Sequence, residues 1–587
     1  MANKENFKKN DEFSINDFFT LSQKLKNIYP LILSVYSKKF SKEFNLSKAF
    51  YSHYLNDGLQ SITYLFFYKF LKNQKNINYN NFSINDLNFS ITPLSSAERD
   101  DKLKSVLFMQ KIDKIFGLSY NYSDFPDLEI PRENLFQKKN YKNHLFDNTL
   151  INKIIIKFNK LVTLFTKIIF KKRNIFFSMA NDDENFWRYH FFLFSNISLP
   201  PIWEQKKIEI NKSLRDNIFK LDDLDNIIEL ETFLQSYNIE KKTHKPILNL
   251  LVNFYKYLLP VQMIEGSKEN YNAVKQIILK HDPNFIICGN GSNFYNDAIC
   301  GYAESNSIKF LKSQHGGFYG YLDHTRWIIN ELQNANIFIT WGWQNLKEIS
   351  KNQRLKLIPL PSPWLSLRKK LISKYKLNFY ENKIDVLYLT QNVKYFDVMP
   401  YNLSFINLDI LPNYKKNFLD ITSRLGDYKL SFLVKYFDIA SFNLLYDSHL
   451  KLKNSYNNLY KVNENFDKGL SKNILSKVKL IVFDHPGTGF LECIASGIPT
   501  IIFWNRSYSK ELKESEIYFK KLEKIGIIHN NIDSFTEEIL NYLKFPKEWF
   551  ETKSKLEEFI NFKNTYCLSH DIWWKDWKNY FEKIKNE

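Results

Sequence analysis

His315 and the run from Asp484 to Glu492 carry the residue types in this chain best suited to group transfer. In Gln314-His315-Gly316-Gly317 an imidazole stands beside two glycines, which let a ligand approach the backbone closely. As a neutral ring, His315 can take a proton from an acceptor hydroxyl; as imidazolium it can steady a diphosphate or carboxylate. The second stretch, Asp484-His485-Pro486-Gly487-Thr488-Gly489, suits anion binding. Backbone N–H groups from Gly487 to Phe490 at the start of a helix, with the Thr488 hydroxyl beside them, would hold a phosphate. One charge at a helix end gains only ~0.3–1 kcal/mol, so several donors must converge there. Glu492 follows Thr488 by four residues, on the same helical face and one turn deeper, where a carboxylate can accept from vicinal sugar hydroxyls. The same pattern also fits an ordinary parallel-sheet crossover with a tight glycine turn.

The elements that must position these residues are legible around them. Leu480-Ile481-Val482-Phe483 has the unbroken apolar character of a strand buried on both faces. Helical spacing resumes from Phe490 to Ser496, Gly497 and Pro499 end it, and Thr500 to Trp504 is the next strand. The turn therefore lies at the carboxyl edge of a parallel sheet, where open α/β folds bind ligands. His315 is placed in the same way, after the strand Ile308–Lys312.

From Pro246 onward the chain alternates helices with short strands, which predicts a parallel sheet. Helices are expected over Tyr271–His281 and Phe294 to about Glu304, and strands over Asn284–Cys288, Ile337–Thr340 and Asp385–Thr390, with a glycine turn at 289–293. The proline-dense run Leu357 to Pro363 reads as an extended linker. Residues 1–245 read as mostly helical, clearest over Ile151–Phe170, where one face is apolar and the other rich in lysine. That helix suits a core position with a solvated lysine face, or a peripheral contact with an anionic membrane. Asp223-Leu224-Asp225 has the spacing of a metal-binding carboxylate pair, but helix capping is the better reading.

Composition bounds the function. A chain of 587 residues needs two or three domains, and 44% hydrophobic with 17% aromatic residues is ample for packed cores. The net charge of +19 does not point to nucleic acid, because the lysines are spread through the chain and no arginine-rich block occurs. The four cysteines are widely spaced, with no CxxC pair and no zinc pattern, as expected in a reducing cytoplasm. No signal peptide and no charge-free window long enough to span a membrane is apparent.

The segment SQHGGFYG, the WGW after a strand, the proline-rich hinge and the D-x-x-x-T-x-x-x-E loop followed by GIPTIIFW together resemble a family of transferases of bacterial surface-carbohydrate biosynthesis. That family is similar to the two-lobed, metal-independent glycosyltransferases called GT-B. The resemblance covers roughly residues 270–580. It implies an α/β fold of two Rossmann-like lobes, which with the helical pattern before residue 246 and the tryptophan-rich end gives 1–245 as a helix-rich N-terminal extension and part of the first lobe, 246–363 the acceptor lobe, 364–550 the donor lobe, and 551–587 a helical tail crossing back. It also implies a nucleotide-sugar donor held around Thr488 and Glu492, an acceptor near His315, closure over Pro359–Pro363, and no metal or other cofactor. His485-Pro486 resembles the His-Pro pair of sialyl- and Kdo-type transferases, which implies a cytidine monophosphate-activated donor. A basic residue such as Arg424 or Lys312 would offset charge on the leaving phosphate. The acceptor is expected to be a carbohydrate or lipid-linked molecule. A glycerophosphate-type transferase using a cytidine diphosphate-alditol, or a non-catalytic membrane-associated scaffold, are the other readings.

Overall fold

The computed structural model describes residues 15–72, 174–178, 196–198, 208–288, 294–322, 331–332, 335–344, 346, 355–375, 377–392, 411–463, 469–507 and 509–586. The amphipathic run 151–170 and the glycine turn 289–293 lie outside them.

Among the described residues, twelve strands form two six-stranded sheets. The first comprises β1 (Asn174–Ser178), β2 (Asn196–Ser198), β3 (Phe285–Cys288), β4 (Lys309–Ser313), β5 (Ile337–Thr340) and β6 (Lys356–Pro359), in the order β2-β1-β3-β4-β5-β6. The second comprises β7 (Ile384–Leu389), β8 (Phe432–Lys435), β9 (Tyr460–Val462), β10 (Val478–Phe483), β11 (Thr500–Phe503) and β12 (Ile528–His529), in the order β12-β11-β10-β7-β8-β9. Every neighbouring pair is parallel. In the second sheet the strand order reverses between β7 and β10, and the crevice above such a reversal is where doubly wound sheets bind ligands. The fold is thus α/β with two Rossmann-like lobes of GT-B type and a helix-rich N-terminal part.

The apolar runs become the central strands: β3, β8 and β11 are buried along their whole length. Sequence reading misses β1 and β2, short strands far upstream that pair alongside β3, so the first sheet begins well before residue 246. The proline-rich run is also not a free linker. Its first half is the edge strand β6, where Pro359 is tolerated, and its second half starts helix 363–374, with Ser362 capping the Leu365 N–H and Pro363 in the first turn.

Helix 573–586 returns to the first lobe. Trp573, Trp577, Phe581 and Ile584 share a core with Phe285, Ile287, Leu311, Ile339 and Leu360, and the Trp577 indole N–H donates to the Pro361 carbonyl at 2.8 Å. A larger core joins the lobes. Tyr319, Tyr321, Trp341 and Trp343 pack into one cluster with Phe483, Phe490, Phe519, Phe562 and Tyr566. Closure about 359–363 would therefore act on an interface already sealed by apolar side chains.

Candidate active site

Helix 488–496 starts where the sequence places it, with Gly487 at its N-cap and Gly497 in the left-handed conformation at its end (φ 70°). The loop before it, 484–487, leaves the carboxyl end of β10 and faces the 314–322 loop, which leaves the carboxyl end of β4. The two edges are stitched together. Gly317 N–H donates to Thr488 Oγ1 at 2.8 Å, and the Tyr321 hydroxyl donates to the Pro486 carbonyl at 2.7 Å. Tyr321 is anchored in turn, because its carbonyl accepts from Leu512 N and Ser515 Oγ, each at 2.8 Å.

The glycines serve this contact. A Cβ on Gly317 would lie 2.7 Å from the Thr488 nitrogen, and one on Gly316 would lie 3.3 Å from Thr488 Oγ1. Expected to admit a ligand to the backbone, these two residues here admit the opposite lobe. Phe318 takes up the cost: its φ is +78°, a conformation worth about 1–3 kcal/mol of strain in a non-glycine residue, held by its N–H bond to the Tyr321 hydroxyl at 2.6 Å.

Two histidines belong to the loops of this junction, each near an acid. His485 Nδ1 lies 2.8 Å from Asp484 Oδ1, and the Tyr414 hydroxyl donates to the other Asp484 oxygen. His485 Nε2 then points at the N-cap, where a Cβ on Gly487 would come within 2.5 Å of it, so only glycine fits. The Phe318 ring stacks on the His485 ring across the lobes, with centroids 6.0 Å apart. On the other side the Tyr319 hydroxyl lies 2.9 Å from His315 Nδ1 and donates to Glu331 Oε2 at 2.7 Å. Neither imidazole is sealed away, since 12% of the His315 side chain and 14% of the His485 side chain reach solvent.

Three expected site residues do other work. Gln314 is fully buried; its amide oxygen accepts from Trp341 N at 2.9 Å and Trp343 Nε1 at 2.8 Å, and its amide nitrogen donates to the Gly316 carbonyl. It shapes the loop from beneath. Glu492 lies on the Thr488 side of the helix as expected, but faces helix 363–374, where Trp364 Nε1 donates at 2.8 Å and Arg368 Nε at 3.1 Å. Arg368 also donates to the Leu470 carbonyl, so this buried ion pair ties the segment after β6 to the second lobe. Arg424 falls in the last turn of helix 411–427, just before β8 begins, and is paired with Asp533. Its partner is thus on helix 532–544 and not in the 484–488 loop.

Lys312 sits in β4 beneath the His315 loop and is almost wholly buried. Burial works against its charge, but Cys300, Asp297, Glu331 and Cys288 outweigh it and lift the ammonium above the usual lysine range. Asp223 lies inside the short helix 222–225, bonds Lys39 and accepts from Lys220 N–H; contrary to the capping expectation, neither this helix nor 228–235 has a side-chain cap. Among the described residues, no group of three or more His, Cys, Asp or Glu side chains is placed to hold a metal ion, and no helix is long and apolar enough to cross a membrane.

Glu331, Tyr319 and Tyr414 are the functional candidates that sequence reading misses. Tyr319 was within the SQHGGFYG segment, whereas Tyr414 and Glu331 reach the site only through tertiary folding and leave no local signal.

Comparison with known proteins adds a family. The model of the "LIC12162 family transferase" matches residues 17–581. No curated protein matches the chain. Among solved structures, S. aureus MnaA in a co-structure with UDP is similar at 10% identity and TM-score 0.38, covering 70% of this chain and 97% of that one. The UDP-GlcNAc 2-epimerases of Methanocaldococcus jannaschii (11% identity) and Neisseria meningitidis (10%, bound to UDP-GlcNAc) each give TM-score 0.39 over 70% of this chain and 99% and 100% of theirs. At that level of similarity they say nothing of this chain's chemistry.

Proposed function

The chain belongs to that transferase family, and on this premise we propose that it moves a sugar from a nucleotide-activated donor to a carbohydrate or lipid-linked acceptor in bacterial surface-polysaccharide or glycolipid synthesis. The observation that supports this reading is the meeting of two carboxyl edges, one from each lobe, in which Gly317, Phe318 and Tyr321 of the His315 loop touch Thr488, His485 and Pro486 at a helix N-terminus.

On this reading the donor phosphate rests at the first turn of helix 488–496, on the N–H groups of Thr488 and Gly489 and the Thr488 hydroxyl, with His485 Nε2 beside it. Because Gly317 crowds the Thr488 nitrogen, donor entry displaces the 316–318 loop and releases the strain at Phe318. Tyr321 stays anchored. The acceptor hydroxyl attacks the anomeric carbon as the bond to the phosphate oxygen breaks, its proton passes to His315, and the growing charge on the phosphate is met by the helix end and His485. The sealed core around the junction excludes water and so limits hydrolysis of the donor.

The test is thermal unfolding of the purified protein with cytidine, uridine, guanosine and thymidine mono- and diphosphates, with and without magnesium. A nucleotide at a hundred times its Kd stabilises the fold by ~2.7 kcal/mol. A shift with one nucleotide that disappears in His485→Asn supports the reading, and the nucleotide names the donor class. Absence of a shift with every nucleotide overturns it. Product analysis with a cytidine diphosphate-alditol separates sugar transfer from alditol-phosphate transfer.

A further inference from the structure

Cys288 and Cys300 meet in the interior of the first lobe. Cys288 is the last residue of β3, Cys300 lies midway along helix 294–305, and their sulfurs are 3.3 Å apart. Both are buried, at 2% and 0% exposure. The contact is held by backbone on each side. Cys288 stands opposite Lys312 in the parallel ladder, and Gly301 seats the helix on Phe50, where a Cβ would lie 2.6 Å from the Phe50 carbonyl oxygen. A disulfide needs its sulfurs at about 2.05 Å, so a closure of about 1.2 Å completes one.

The surroundings of this pair are polar, unlike those of the other two cysteines. Cys493 and Cys567 are also fully buried, but in the apolar core that joins the lobes, and burial pushes both thiols up, as in inert core residues. Cys288 and Cys300 instead feel the ammonium of Lys312, and Cys288 the carboxyl of Asp297. When one thiol ionises, the other can donate to it. The hydrogen bond from Cys288, aided by the Lys312 charge, pulls the Cys300 thiol below its ordinary value against the opposing effect of burial. Cys288 is correspondingly pushed up, by that hydrogen bond and then by burial. Cys300 is therefore the nucleophile and Cys288 its resolving partner.

We propose that Cys288 and Cys300 are a modification site at which a small hydroperoxide, hydrogen peroxide being the simplest, closes a reversible disulfide between β3 and helix 294–305. The Cys300 thiolate attacks one peroxide oxygen, the O–O bond breaks, and the hydroxide that leaves takes up the proton the thiol gave, as water; Cys300 is now a sulfenic acid. The Cys288 sulfur then attacks the Cys300 sulfur, the S–O bond breaks, and the departing hydroxide takes the Cys288 proton as a second water. Two thiols and one peroxide thus give one disulfide and two waters, the two electrons passing from sulfur to oxygen. Burial selects the oxidant, because peroxide is small enough to reach the pair through local opening, whereas glutathione disulfide has to be attacked by an accessible thiolate. The nearness of Cys288 also protects Cys300, because the sulfenic acid is consumed before a second peroxide carries it to the irreversible sulfinic acid. Nothing in this chemistry depends on which group the chain transfers.

The test treats the purified full-length chain with hydrogen peroxide, quenches it in acid, alkylates the remaining thiols in denaturant and reads each of the four cysteines by peptide mass spectrometry. The wild type is expected to lose the Cys288 and Cys300 thiols together, as one intramolecular disulfide that dithiothreitol reverses, while Cys493 and Cys567 are recovered alkylated. Glutathione disulfide in place of peroxide should leave all four thiols. In Cys288→Ser, whose hydroxyl keeps a donor beside Cys300, dimedone should trap the sulfenic acid, and longer exposure should give a sulfinic acid that dithiothreitol does not reverse. Four intact thiols in the peroxide-treated wild type, oxidation of all four cysteines alike, a Cys300 sulfinic acid in place of the disulfide, or a mixed disulfide with glutathione on either residue overturns the proposal. These wild-type outcomes decide it without the variant, should Cys288→Ser fail to fold.

Discussion

Gly317 N–H donates to Thr488 Oγ1 across the two lobes at 2.8 Å, and the glycine's missing side chain is what lets the two backbones come so near. The bond places the His315 loop of one sheet on the helix end of the other, so that under the proposed function phosphate binding at Thr488 would be coupled to the position of His315.

Gly317→Val is expected to force the 314–320 loop off the helix end, since its Cβ would fall 2.7 Å from the Thr488 nitrogen. Hydrogen exchange should rise at residues 316–318 while the anchored Tyr321 stays protected. Thr488→Ala removes only the acceptor and should cost about 0.5–1.5 kcal/mol in urea unfolding. Equal effects from the two variants would show that the glycine's lack of a side chain is unimportant.

Glu492→Ala strands the buried Arg368 guanidinium and should destabilise the protein by about 3–5 kcal/mol. Replacing both partners, as Glu492→Leu with Arg368→Met, should recover most of that loss in the same denaturant titration. If the double variant is as unstable as the single one, the ion pair is not the reason for the loss. Weaker nucleotide binding in Glu492→Ala would then need this stability change subtracted before Glu492 is credited with touching the donor.

His53 gives a pH dependence with a definite sign. Burial dominates and pulls its pKa below the ordinary 6.5, despite the bond to Glu304, and its Nδ1 is buried with no hydrogen-bond partner. An unfolded chain takes up a proton as pH falls through about 6.5, and the native chain does so only at lower pH. Stability should therefore be unaffected by His53 above that point and decline as the solution is acidified below it. Because burial also lowers His449 and His529, the measurement is the difference between wild type and His53→Gln in denaturant midpoint from pH 7.5 to 5.5. A constant difference across that range rejects the assignment.

The second lobe was easier to read than the first for a physical reason. Around helix 488–496 the strand, glycine cap, helix, left-handed Gly497 and next strand are contiguous, so local rules set each boundary. The first sheet instead pairs β3 with a strand more than a hundred residues upstream, and nothing local to Asn174–Ser178 announces that partner. The candidate site divides in the same way. The His485–Asp484 pair is adjacent in sequence and glycines mark His315, but the partners of Glu492 and Gln314, namely Arg368, Trp341 and Trp343, arrive from elsewhere in the chain and leave no local signal. Arg424, in the last turn of helix 411–427, is paired with Asp533, a partner more than a hundred residues away that no local pattern announces.

Helix 573–586 has a consequence for synthesis on the ribosome. Lys309 Nζ bonds the Ile584 carbonyl across 275 residues, and Trp573, Trp577 and Phe581 cover strands that are translated long before them. Domains generally fold as they emerge, N-terminal first. Here the first lobe waits with one sheet face bare until the second lobe has been made and helix 573–586 has left the tunnel, so the first lobe is completed only after the second has been translated.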